Sequence, residues 1–155
     1  MLAKQRGSPH SGGMDADAIR TSLEQLAERV GDPAPLVYRR LFEARPEVEA
    51  LFVGDGTGAA RGEMLAQTFE ILIDLAEGGR GPSGMIGSEL VNHEGLGVPP
   101  DAFASFFHVV ADVVRDGLGP DWTPRVSAAW DALLARADER IQRQARASGL
   151  SISAR

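Results

Sequence analysis

The stretch Leu90-Val91-Asn92-His93-Glu94-Gly95-Leu96-Gly97-Val98-Pro99-Pro100 sets an imidazole near the end of a short helix, just before two breakers and a long apolar helix. Neutral imidazole is the commonest protein ligand for a metal ion. The chain holds three histidines. His10 lies in a polar N-terminal run and His108 on the wet stripe of an amphipathic helix, so His93 is the one with chemistry to offer. No cysteine is present, which excludes thiolate metal sites, cysteine nucleophiles and disulfides. A lone histidine is more often a surface residue than a ligand, so its neighbours must decide.

Those neighbours form a recognisable wording. His93-Glu94-Gly95-Leu96-Gly97-Val98-Pro99-Pro100-Asp101-Ala102-Phe103 resembles the end of the F helix, the FG corner and the start of the G helix in globins. Tyr38-Arg39-Arg40-Leu41-Phe42, followed by Arg45-Pro46-Glu47-Val48-Glu49-Ala50-Leu51-Phe52, resembles the B helix, C helix and CD corner of bacterial single-domain globins and of flavohaemoglobin haem domains. Pro46 precedes Phe52 by six positions and Tyr38 precedes it by fourteen, as in that pattern. The likeness runs from about Asp15 to Gln144. It implies an all-α globin fold, three helices over three around haem b.

On the proximal side the resemblance makes His93 the ligand to iron through Nε2, its Nδ1 proton held by a backbone carbonyl of Glu89 or Leu90. The Glu89 carboxylate, four residues earlier on the same helical face, either pairs with the imidazole or points to solvent; solvent is favoured, since burying an unpaired charge is costly. Flavohaemoglobins couple a tyrosine and a glutamate to this histidine. Here Phe103 stands at the tyrosine position and no glutamate lies near Ala145, which argues against peroxidase-like chemistry. On the distal side Tyr38, the sole tyrosine, matches the position from which a phenol donates to bound dioxygen and favours it over carbon monoxide, by about 1 to 3 kcal/mol. Its alternative is a core tyrosine with its hydroxyl at the rim. Arg61 takes the ligand-gating position, either over the iron or swung out to a haem propionate. With no distal histidine in reach, a second axial imidazole is not expected. Phe52, Leu65, Phe69, Val98, Phe103 and Phe106 are the expected apolar lining of the haem pocket.

Helical elements must carry these residues. Ile19, Leu23, Leu26 and Val30 share one face of a first helix capped by Asp15 or Asp17 and ended by Gly31. A second helix spans about Pro35 to Ala44 with Leu36, Val37, Tyr38, Leu41 and Phe42 as its apolar side, and Pro46 opens a short third ending near Phe52. After the glycine-rich loop from Val53 to Gly58, a helix from about Ala59 to Glu77 leaves only Glu63, Gln67, Glu70 and Asp74 wet, the pattern of an element buried between two partners. The histidine helix follows over 85–94. Pro99-Pro100-Asp101 starts a helix with Phe103, Phe106, Phe107, Val110, Val113 and Val114 inward, and Thr123-Pro124 caps the last helix, whose Val126, Ala129, Trp130, Leu133, Ala137 and Ile141 keep helical spacing. From Gln142 the sequence turns polar and is expected to fray. The domain organisation read from this is a disordered tail over 1–14, one globin domain over 15–146 and a frayed tail over 147–155.

At 155 residues the chain suits one domain with one core. A net charge of -6 and a pI near 5.0 argue against nucleic acid or an anionic membrane as partner. No apolar run approaches the roughly 20 residues of a membrane span, so a soluble, cytoplasmic protein is expected. The resemblance implies reversible dioxygen binding, with nitric oxide and carbon monoxide as further ligands and conversion of nitric oxide to nitrate as the enzymatic form. The sequence encodes no flavin or nicotinamide domain, so turnover needs a separate reductase. The non-enzymatic alternative is an oxygen store, or a gas sensor acting through a partner protein; the bland one is a haem-free helical bundle.

Overall fold

The computed structural model describes residues 15–78 and 100–147. Among the described residues there are six α-helices and no strand: α1 (Ala16–Val30), α2 (Ala34–Ala44), α3 (Pro46–Glu49), α4 (Ala59–Ala76), α5 (Pro100–Leu118) and α6 (Pro124–Ala147). Single 3-10 turns over Ala50–Phe52 and Gly119–Asp121 tighten the corners after α3 and α5. The expected histidine helix over 85–94, with His93, and the following Val98 lie outside the described residues, as do the tails over 1–14 and 148–155.

Local chemistry sets the helix ends. The Asp15 carboxylate accepts the Ala18 amide at 3.1 Å, satisfying a donor that the first turn of α1 leaves free. Gly31 then stops α1 with φ 75°, a conformation that costs glycine little. Asp32 accepts the Ala34 amide at 3.0 Å at the turn into α2, and Thr123 accepts the Val126 amide at 3.2 Å at the start of α6. At the far end of α5 the Arg29 guanidinium donates to the carbonyls of Gly117 (3.1 Å) and Leu118 (2.8 Å) and pairs with Asp121, so a side chain from α1 caps α5.

Helix α5 is the central element, packed against α1, α2 and α6, while α4 lies against α1, α2 and α6. Phe106, Phe107, Val110, Val113 and Val114 face the core from α5, and Ala129, Trp130, Leu133, Ala137 and Ile141 meet them from α6. Burying these side chains is the main drive for folding, at about 25 cal/mol per Å² of apolar surface. One polar pair interrupts the core without penalty: the Trp130 indole donates to Ser22 Oγ at 3.0 Å, and that hydroxyl donates to the Ile19 carbonyl at 2.7 Å.

Two expectations need correction. The last helix does not fray from Gln142; it runs to Ala147, because Ala145 continues the apolar stripe one turn past Ile141 and is fully buried, while Arg143 pairs with Glu139 on the outer face. Leu36 is 36 % exposed: α2 turns its inner face to Val37, Tyr38 and Leu41 instead.

Candidate functional site

Helical spacing puts Tyr38 and Phe42 one turn apart on α2, and the α3 corner folds Phe52 back onto both. The Tyr38 ring meets Phe42 at 5.9 Å between centroids, Phe52 at 5.5 Å edge-on and Phe106 of α5 at 5.3 Å, and Phe42 meets Phe52 at 5.8 Å. Tilted and edge-on rings at such distances attract through their quadrupoles, so three elements are pinned together by aromatic contact. Tyr38 is 2 % exposed, and its Oη is buried without a hydrogen-bond partner among the described residues. A hydroxyl left in that state normally costs stability, which makes it the most informative polar atom in the molecule. Burial pushes the phenol well above its ordinary pKa, against the pull of the Arg61 cation and helped by the Asp55 anion. The phenol therefore stays a donor across the physiological range.

Arg61 sits in the first turn of α4, tied to the loop before it. Its Nε donates to Asp55 Oδ2 at 3.1 Å, its Nη2 to the Asp55 carbonyl at 2.8 Å and its backbone amide to Oδ2 at 3.0 Å. Asp55 Oδ1 accepts the Ala60 amide at 3.1 Å, so one carboxylate caps α4 and anchors the guanidinium together. Burial would raise the Asp55 pKa, but these amide hydrogen bonds and the Arg61 charge hold it below its ordinary value.

Leu65 and Phe69 follow Arg61 on one face of α4, Leu65 buried and Phe69 half-buried against the core. Phe52 is half-buried and Phe106 is buried. The structure thus brings Tyr38, Phe52 and Phe106 into direct contact, with Arg61 and Asp55 close enough to act on the phenol by charge. His93 and Val98 lie outside the described residues, and Phe103 is placed only by its backbone on α5. Two residues of the site were missed from sequence. Phe42 was read as plain core, though its spacing of four from Tyr38 could have flagged it. Asp55 sits in a glycine-rich loop and reaches five and six residues forward, a span with no periodic signature.

A family model described as Globin matches residues 36–140, from the start of α2 to the last third of α6. The chain belongs to the globin family. Its six described helices are consistent with the all-α globin fold, and globins bind haem and, through it, diatomic gases such as oxygen. A comparison with curated proteins finds no match. Among the described residues no group of three or more histidine, cysteine or acidic side chains is arranged to hold a metal ion. Haem asks for less, since a single protein ligand suffices to hold its iron. The globin's own residues fit the cofactor on one observation: the buried Tyr38 donor, ringed by apolar side chains, has no acceptor among them. No helix among the described residues is long and apolar enough to cross a membrane.

Proposed function

We propose that this globin carries haem b on His93 and binds dioxygen reversibly beneath Tyr38, and that with a separate reductase it converts nitric oxide to nitrate. The observation that carries the reading is the unpartnered, buried Tyr38 hydroxyl. When bound, haem supplies the iron at which dioxygen is held and nitric oxide is oxidised. Everything else is the work of the chain. His93 would hold the iron through Nε2, with its Nδ1–H donating a hydrogen bond to the backbone carbonyl of Glu89 or Leu90. Tyr38 donates to the negative end of a polarised diatomic and so prefers dioxygen to carbon monoxide. Phe52, Leu65, Phe69, Val98, Phe103 and Phe106 would line the pocket and keep water from the bound cofactor. Arg61, tethered to Asp55, stands beside the phenol.

The spacing of Tyr38, Pro46 and Phe52, and the wording from His93 to Pro100, support kinship with bacterial single-domain globins and flavohaemoglobin haem domains. A cytoplasmic setting follows from the reading, because the reductase must be at hand. The test is stopped-flow kinetics on the haem-loaded chain. Tyr38→Phe is expected to speed oxygen dissociation about tenfold, equivalent to about 1.4 kcal/mol. Mixing with nitric oxide in the presence of a reductase is expected to yield nitrate over many turnovers. An unchanged off-rate removes Tyr38 from its role; absent turnover leaves an oxygen-binding protein without the enzymatic step.

A further inference from the structure

Two clefts open on the surface beside the aromatic cluster, and Tyr38 lines the first of them. One, of about 600 Å³, is lined by Tyr38, Arg39, Phe42, Glu49, Gly58 and Arg61 among others; the second, of about 490 Å³, is lined by Phe42, Pro46, Glu49, Phe52, Val53 and Arg61 among others. Phe42, Glu49 and Arg61 are common to both. Phe42 is fixed in the aromatic cluster and Glu49 is exposed, which leaves Arg61 as the long, partly buried side chain at this boundary. A guanidinium 30 % exposed would ordinarily sample many rotamers. Here it is held by a single residue, Asp55, whose side chain is 11 % exposed, through the carboxylate and the carbonyl at once. Asp55 is itself immobilised: its amide donates to the Phe52 carbonyl at 3.0 Å, and its carbonyl also accepts the Gly58 amide at 3.2 Å. The loop from Phe52 to Gly58 therefore joins a ring in contact with Tyr38 to the cation beside it.

We propose that Asp55 is a positioning residue that latches Arg61 at the boundary between these clefts and so sets how readily a small ligand entering the one lined by Tyr38 reaches its hydroxyl. Its meaning for gas entry rests on the function proposed above, but access to the phenol is a property of the chain alone and is testable without haem. Breaking the carboxylate's hold frees the guanidinium to leave the boundary. Lysine at position 61 does the same while keeping the positive charge, because an ammonium cannot reproduce the two-point grip of the planar fork.

The chain's single tyrosine makes the readout specific. The nitration rate of the full-length protein by tetranitromethane, followed by nitrotyrosine absorbance, reports access to Tyr38. Asp55→Asn and Arg61→Lys are each expected to raise that rate about fivefold, the population change expected from losing one or two hydrogen bonds. The double variant should add little to the larger single effect, since both changes act through one contact. Charge alone gives a different pattern: removing the Asp55 anion eases ionisation of the phenol and speeds nitration, whereas Arg61→Lys leaves the rate as it was. That pattern, or no change in either variant, overturns the proposal. Arg61→Lys leaves the Asp55 cap on α4 intact, so its result stands even if Asp55→Asn unfolds. A failure here leaves haem binding untouched, and a failure to bind haem leaves the nitration result standing.

Discussion

Tyr38 carries a conflict between stability and function that can be measured. Its hydroxyl is buried and unpartnered among the described residues, so the folded chain bears the cost of desolvating it. Removing it with Tyr38→Phe should leave the haem-free chain as stable as before or more so, by up to about 1 kcal/mol in chemical denaturation, while speeding oxygen loss from the loaded form. A drop in stability would mean that the phenol has a structural partner. The same residue sets an alkaline limit. Because burial raises the phenol pKa in the folded state, the unfolded chain sheds its proton first. The associated stability is full below the unfolded-state pKa of about 10 and is lost as the pH rises past it. The alkaline decline in unfolding free energy should be shallower in Tyr38→Phe; identical slopes would place the phenol in solvent.

Among the helices, the caps and close approaches carry the next tests. Asp15 both caps α1 and pairs with Arg125 at the start of α6, at 2.5 Å from Nε, and that hydrogen bond leads the lowering of its pKa. Asp15→Ala should cost about 1 kcal/mol by denaturant titration, chiefly through the lost cap. Gly117 is a sharper case. Glycine to alanine in an open helix gains about 1 kcal/mol, yet a Cβ here would fall 2.5 Å from Cδ1 of the buried Leu26, whose side chain must shift within the core to admit it. Overpacking of that kind costs about 1 to 3 kcal/mol, so Gly117→Ala should lower the melting temperature. An increase would show that α1 and α5 have slack. The helices themselves were legible in the sequence because Ile19, Leu23 and Leu26, or Val110 and Val114, repeat at the period of a buried face. Ala145 was not, since one alanine among Gln144, Arg143 and Arg146 reads as polar until the helix it packs against is known.

Across the whole molecule, the order of motifs is enough to read an all-α globin fold and to bring Tyr38, Phe52, Arg61 and Phe106 near one another. Spacing conveyed this well because each motif lies within one helix or across one corner. What it did not convey is which polar groups find partners. The bond from Trp130 to Ser22 joins residues far apart in the chain, and the grip of Asp55 on Arg61 depends on how a loop with no periodicity folds back. From sequence, position 61 chooses between iron and propionate; in the structure its guanidinium donates to the Asp55 carboxylate.

Titrating haem into the purified chain and its His93→Ala variant, with absorbance as the readout, asks whether His93 holds an iron porphyrin. The expected result is a Soret band that saturates at one haem per chain, with a five-coordinate ferrous spectrum that is lost in the variant. A chain that takes up no haem, or a variant whose ferrous spectrum is unchanged, would contradict it.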